Sequence, residues 1–218
     1  MLVAIDGPAG SGKSSVARAV AEELGVVDLN TGAAYRAVAL VALRENVDLK
    51  DGATLAAISR RVSLDGDGAR VDDAAVSEEE LRAPEVSAAA STVSARPEVR
   101  TVLLEVQREA AVRACKEGGA VVEGRDIGTV VLPEAELKIY LSAAPEERAR
   151  RRAHQTGREA ELERVQEAMK ERDRQDSERA TSPLKPAPDA VILDTTSLSL
   201  EGVVGRVLEL ARGLQKGA

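Results

Sequence analysis

Eight residues near the start of the chain, Gly7-Pro8-Ala9-Gly10-Ser11-Gly12-Lys13-Ser14, form a complete G-x-x-x-x-G-K-S string. They follow the apolar run Leu2-Val3-Ala4-Ile5 and open an Ala/Val-rich stretch with helical spacing. A strand that turns through glycines into a helix N-terminus offers backbone N–H groups and the positive end of a helix dipole to a polyanion. Lys13 then reaches the β and γ oxygens, and the Ser14 hydroxyl is placed to ligate magnesium. The expected ligand is a nucleoside triphosphate, held by Gly7 to Ser15. The string does not choose the acceptor, because kinases, GTPases and motor ATPases share it.

Composition narrows that choice. A net charge of −7 over 218 residues argues against a broad basic face for a nucleic acid polymer, and a local arginine cluster for a nucleotide monomer fits better. Cys115 is the single cysteine, so no intrachain disulfide is expected, and it reads as a small apolar filler on a helix. No apolar run approaches the ~20 residues of a membrane span, and the chain enters its first strand at once, so a soluble, cytoplasmic protein is expected. Phe and Trp are absent and Tyr35 and Tyr140 are the only aromatics. The core must be aliphatic, and stacking of a base on several aromatic rings is excluded.

Short β-branched runs at 2–5, 120–122, 137–141 and 190–193, with a fifth strand candidate at 26–29, read as buried parallel strands. Helical spacing recurs at about 13–24, 33–45, 97–116, 145–154, 159–179 and 199–213. This alternation predicts an α/β protein with a doubly wound, mainly parallel five-stranded sheet. Around Asp65-Gly66-Asp67-Gly68 two brief alternating segments break the rhythm, and a small antiparallel insert near 60–90 is expected there, with an irregular loop as the equal alternative. Residues 180–188, with Pro183, Pro186 and Pro188, read as a connector.

Four further clusters carry charge. In Asn30-Thr31-Gly32-Ala33-Ala34-Tyr35-Arg36 a strand end meets a helix start; taken alone, Thr31 reads as an N-cap and Arg36 as a solvated charge, although Arg36 could clamp an anion. Glu123-Gly124-Arg125-Asp126-Ile127-Gly128-Thr129 lies just past a buried strand, where ligands bind in open α/β sheets. Arg172, Asp176 and Arg179 stand at i, i+4 and i+7, one face of a continuous helix. Arg148, Arg151, Arg152 and Arg158 crowd a region between two helices, where a mobile lid would neutralise a transferred phosphoryl group; Arg148 and Arg152 are the catalytic candidates beside Lys13 and Arg125. A solvated face is the competing reading of both helical clusters. His154, the sole histidine, is expected on the surface.

Together the strings IDGPAGSGKSS, NTGAAYRA, EGRDIGTVV and KERDRQDSERA closely resemble the bacterial cytidylate kinases of the nucleoside monophosphate kinase superfamily, over nearly the whole chain. The resemblance implies a three-layer P-loop domain with a core (about 1–35, 95–147 and 175–218), a monophosphate-binding region with the β insert (about 36–94) and a lid (about 148–160). It implies ATP and (d)CMP as substrates, Mg²⁺ as cofactor, and a monomer. Ser91 and Arg100 would face cytosine with Asp126, Arg36, Arg125 and Arg179 would take the acceptor phosphate, and Arg172 and Asp176 would meet the ribose, with Thr31 also among the CMP contacts. Asn30 and Glu123 depart from the family, which usually has an acid at the first and Asp at the second.

The implied division agrees with base chemistry. A carboxylate accepts from the cytosine N4 amino group, and an arginine donates to N3 and O2; uracil inverts the first two groups. The alternatives are a uridylate or shikimate kinase type of enzyme, or a nucleotide-sensing switch, which would want an N-K-x-D guanine motif that this chain lacks.

Overall fold

The structure, a computed structural model, describes residues 1–179 and 181–217. Along the chain run β1 (Leu2–Asp6), α1 (Lys13–Leu24), β2 (Val27–Asn30), α2 (Thr31–Arg44), α3 (Gly52–Ser59), β3 (Val62–Asp65), β4 (Gly68–Val71) and β5 (Ala74–Ala75). Then follow α4 (Glu78–Arg82), α5 (Pro84–Ser94), α6 (Pro97–Lys116), β6 (Ala120–Gly124), a π-helical turn (Ile127–Val131), β7 (Leu137–Ser142) and α7 (Pro145–Thr156). A 3₁₀ turn (Glu159–Glu161), α8 (Leu162–Glu178), β8 (Val191–Asp194) and α9 (Leu200–Gly217) complete it.

Five strands form one sheet in the order β2-β6-β1-β7-β8, and β3-β4-β5 form a second, antiparallel one. β7 pairs in parallel with β1 (Val3 opposite Leu137, Asp6 opposite Tyr140) and with β8 (Ile139 opposite Val191). The α/β class, the five-stranded sheet and the antiparallel insert all match the expectation from the sequence.

The chain divides into two compact units, residues 1–26 with 121–218, and residues 27–120. In the first, Val3 and Ile5 of β1 and Leu137, Ile139 and Leu141 of β7 form a common core with Val16 and Val20 of α1 and Val203 and Val207 of α9. The β1 and β7 residues come from the short apolar runs and are buried as expected, whereas the run at 190–193, expected as a buried strand, forms β8 at the sheet edge with Val191 and Ile192 exposed. A second, smaller cluster joins Ala9 to Ala149 and Ala153 of α7 and Val165 and Met169 of α8.

In the second unit the buried faces of α2 and α5 are mostly alanine and valine, which lets helices without aromatics approach closely. The β3–β4 turn is where the Asp-Gly signal put it, with Asp65 opposite Gly68. A further turn at Asp72 and Asp73, both left-handed (φ 49° and 63°), adds the short β5. Arg113 on α6 donates to the Leu64 carbonyl at 2.8 Å, and Arg61 bridges Asp72 (2.9 Å) and Glu45 (2.7 Å).

The structure departs from the expectation in several places. The insert strands end at Ala75, and the rest of the expected insert is helical: Ser77 and Glu80 form a capping box that starts α4, and Pro84 starts α5. Helices α3, α4 and α5 were not anticipated; they are short, and α3 is apolar on nearly all sides, so it lacks the periodic signal. Thr31 is the first residue of α2 and buried, while Asn30 occupies the cap position. Arg179 lies just beyond α8 in an extended conformation, so the helix is not continuous through it. Cys115 sits on α6 as expected, but exposed, not as an apolar filler. The 180–188 connector is described from residue 181.

Gly7 has φ +151°, and a methyl group added there would run into the Leu141 carbonyl oxygen of the neighbouring strand. Gly7→Ala is therefore expected to destabilise the fold by about 3 kcal/mol, from strain and steric overlap together. Urea unfolding followed by far-UV circular dichroism measures it, and an unchanged midpoint would contradict the close approach.

Candidate active site

The phosphate loop leaves β1 at Asp6 and enters α1 through Gly12, whose left-handed conformation (φ 92°) lets Lys13 begin the helix. Lys13 is buried, and its Nζ donates to the Pro8 carbonyl at 2.7 Å, so the amine folds back over its own loop. Burial holds its ammonium well below the ordinary lysine range; the Arg125 and Arg172 charges push the same way, and Glu123 and Asp6 oppose them. Ser14, on the first turn of α1, is half-buried, whereas Ser15 is exposed.

Asp6 joins this loop to the turn after β6. Its two carboxylate oxygens accept from the backbone N–H groups of Ile127 and Gly128, both at 2.8 Å. The Asp126 carbonyl accepts from Val130 (2.9 Å) and Val131 (3.1 Å), which winds this segment into a π-helical turn. Burial pushes Asp6 up to about 6; the two N–H groups and Lys13 counter that rise, and Asp126 adds to it.

Around the turn, buried acids and arginines interlock. Asp176 on α8 accepts from Arg125 Nε at 3.0 Å through one oxygen and pairs with Arg179 through the other. Its side chain is 4% exposed, and the three groups together carry one net positive charge. Glu123 and Asp126 are buried nearby in sequence, and burial draws the Arg125 guanidinium below its usual value against the pull of Glu123, Asp173, Asp6 and Asp126. Because both Asp176 oxygens are engaged by arginines, its first task is to aim them.

The arginines of α7 divide. Arg148 donates from Nη1 to the Ala9 carbonyl (3.1 Å) and from Nε to the Ala143 carbonyl (3.0 Å), and it pairs with Asp173. Arg151 bonds Glu147 and Thr195, Arg152 bonds Gln155 at 2.9 Å, and Arg158 pairs with Glu161 on the surface. Arg148 is thereby bonded directly to the phosphate loop. His154 is exposed beside Glu159, as expected.

The unit of residues 27–120 holds the remaining candidates. Tyr35 and Arg36 follow Thr31 on α2, Ser91 is half-buried on α5, and Arg100 is buried on α6. Arg100 donates to the Ser94 carbonyl at 3.3 Å, and its guanidinium lies 5.6 Å from the centre of the Tyr35 ring, a cation–π distance. Thr31, Arg36, Ser91 and Arg100 thus share one unit, and Lys13, Arg125, Asp126, Arg172, Asp176 and Arg179 share the other.

Sequence reasoning passed over Asp6, Asp173 and Tyr35, and left Glu123 out of the site. An acid at the end of a buried strand, directly before the first loop glycine, was the available signal for Asp6. Asp173 had no signal apart from its place between Arg172 and Arg174 in a charge-rich helix.

Residues 3–213 match a family model described as cytidylate kinase. A cytidylate kinase of Desulfitobacterium hafniense is 48% identical over 95% of this chain and 91% of its own length. One of Caldanaerobacter subterraneus is 48% identical over 99% and 96%. A bifunctional pantoate ligase/cytidylate kinase of Synechococcus is 45% identical over 98% of this chain and 41% of its own length. Among solved structures, an uncharacterized protein from Eubacterium ventriosum (TM-score 0.55, 11% identity, 96% and 97% of the two chains) shares the fold. So does a gluconokinase from Sinorhizobium meliloti (TM-score 0.51, 17% identity, 98% and 93% of the two chains).

Asp6 has a directional effect on stability. Its folded value, about 6, lies above the ordinary 3.8, so the folded state binds this proton more tightly. The stabilisation is present below about pH 4 and is lost as pH rises through 6, a change of about 3 kcal/mol. Asp6→Asn removes that titration. The unfolding free energy of the variant, relative to the wild type, is expected to improve by about 2 kcal/mol between pH 4 and pH 7; a difference that stays flat would remove Asp6 from the pH dependence.

Proposed function

This chain belongs to the cytidylate kinase family, and on that premise we propose that it transfers the γ-phosphoryl group of ATP to CMP and dCMP, giving ADP with CDP or dCDP. The observation that carries the reading is the Asp6 anchor. One carboxylate ties the phosphate loop to the EGRDIGTVV turn, so the two most informative strings of the sequence form one piece.

ATP phosphates lie along Gly7 to Ser15, with Lys13 moving from the Pro8 carbonyl to the β and γ oxygens. Arg36, Arg125 and Arg179 hold the acceptor phosphate, Arg172 and Asp176 the ribose, and Ser91, Arg100 and Asp126 the cytosine, with Thr31 at the start of α2. An oxygen of the CMP phosphate attacks the γ-phosphorus in line, the bond to the β-γ bridging oxygen breaks, and ADP leaves. No side-chain nucleophile is needed; positioning and charge do the work. Arg148 and Arg152 are the proposed α7 contributors. Arg148 lies against the phosphate loop, and Arg152 would have to leave Gln155.

Mg²⁺ fits this donor set. The cation needs few protein ligands when phosphates supply oxygens, and the Ser14 hydroxyl on the first turn of α1 is a hard oxygen donor of that kind. When bound, it neutralises charge on the β and γ oxygens. We further propose that the protein acts as a monomer in the cytoplasm; among the described residues no helix is long and apolar enough to cross a membrane.

A coupled assay with ATP and Mg²⁺ constant and CMP, dCMP, UMP, AMP or GMP varied tests the acceptor. CMP and dCMP should be preferred, and turnover with UMP equal to that with CMP would remove the cytidine assignment. In the same assay Asp126→Ala should raise KM for CMP about tenfold, the equivalent of one unpaired buried N4 amino group, and leave KM for ATP unchanged. An unchanged KM for CMP would take Asp126 out of base reading.

A further inference from the structure

Asp173 has no role in the division of labour given above, yet it makes a closed set of contacts with the phosphate loop. One carboxylate oxygen accepts from the Ala9 N–H at 3.2 Å, and the other pairs with Arg148. Arg148 in turn donates to the Ala9 carbonyl at 3.1 Å. Both backbone polar groups of a single loop residue are therefore taken by one acid–base pair, the acid from α8 and the base from α7.

The contacts below this ring have the same target. The Ala9 side chain belongs to the small apolar cluster of Ala149, Ala153, Val165 and Met169. At the next residue, a methyl group on Gly10 would lie 2.6 Å from the Arg148 carbonyl oxygen and 2.8 Å from the Met169 methyl. The pair is shielded, with side-chain exposures of 11% for Arg148 and 17% for Asp173. A loop with left-handed glycines at 7, 10 and 12 has little intrinsic stiffness, so its shape depends on what grips it.

From this geometry we infer that Asp173 is a positioning residue for phosphoryl transfer, holding the tip of the phosphate loop and the Arg148 guanidinium as one piece. The inference rests on the kinase reading above. The ion pair itself contributes little to stability once its desolvation is counted. Its effect is geometric: a donor loop and an arginine that share one clamp keep their spacing, and small misplacements at a transfer site are costly in rate.

A double-mutant cycle tests it. Asp173→Asn keeps an oxygen for the Ala9 N–H but loses the ionic grip on Arg148. It is expected to lower kcat at least tenfold with KM for CMP within twofold, read at a temperature well below the thermal midpoint, which the unpaired buried Arg148 lowers. In an Arg148→Ala background the same substitution should cost less than a third of that factor, because Asp173 then has nothing left to aim. A kcat within threefold of wild type, or a comparable loss in both backgrounds, overturns the inference. Should Asp173→Asn not fold, Arg148→Lys, which keeps the charge without the forked donors, carries the same expectation of a kcat loss at constant KM.

Hydrogen exchange of the 7–12 segment gives a reading independent of turnover. Asp173→Ala should speed it about tenfold, and unchanged exchange counts against the clamp. If the wild type turns over a different monophosphate, the cycle is run with that acceptor. If it turns over none, the kinase reading fails by itself, while the exchange measurement still decides whether Asp173 grips the loop.

Discussion

The two hydrogen bonds that Asp6 accepts from the Ile127 and Gly128 N–H groups fix the start of the phosphate loop against the turn that follows β6. Neither segment could hold its place alone, since one is rich in glycine and the other is a single π-helical turn. Strand pairing brings their roots together, and the carboxylate sets the last ångström. Burial opposes its ionised form, which is why it sits near 6, but the two donors and Lys13 keep the anion bound where it is. Lys13, Glu123 and Arg125 are arranged around that fixed point.

The same economy governs the other charges. Arg125 and Arg179 share Asp176, and Arg148 shares Asp173 with a backbone amide. Buried guanidinium groups without counter-charges would repel one another, and each carboxylate both neutralises and aims its partner. Arginine suits this task better than lysine because its planar fork can keep one edge on the carboxylate and present other donors elsewhere. In the Arg125–Asp176–Arg179 set one positive charge is left over for a polyanion.

Much of this was legible in the chain. β1 and β6 announced themselves because parallel strands buried on both faces are short unbroken apolar runs, and β8 carries the same kind of run although it lies exposed at the sheet edge. The helices that flank the sheet carry long periodic patterns. The Asp65–Gly68 turn was visible because few backbones other than a tight hairpin need that pair of residues. Helices α3 to α5 were hidden: α3 is apolar all round, α4 has only five residues, and α5 is alanine-rich, so none shows a clear amphipathic period. Of the site, the glycine-lysine loop and the Glu123–Thr129 cluster could be read from spacing. The Asp173–Ala9 contact could not, because it joins residues 164 apart through a backbone amide that leaves no mark on residue type. Tyr35 under Arg100 was equally silent, since a ring beneath a cation has no fixed offset in sequence.

The scarcity of aromatic residues has an optical consequence. With no Phe or Trp to mask them, the two tyrosines are separate built-in chromophores, one in each compact unit. Tyr35 lies beneath a guanidinium that is a candidate for the base site. On β7, burial raises the Tyr140 phenol above the ordinary 10.0, and the carboxylates of Asp173 and Asp6 raise it further. The Arg125 and Arg148 guanidinium groups oppose that rise, so phenolate absorbance at Tyr140 responds to burial and to the balance of charge beside the phosphate loop, and it requires no label.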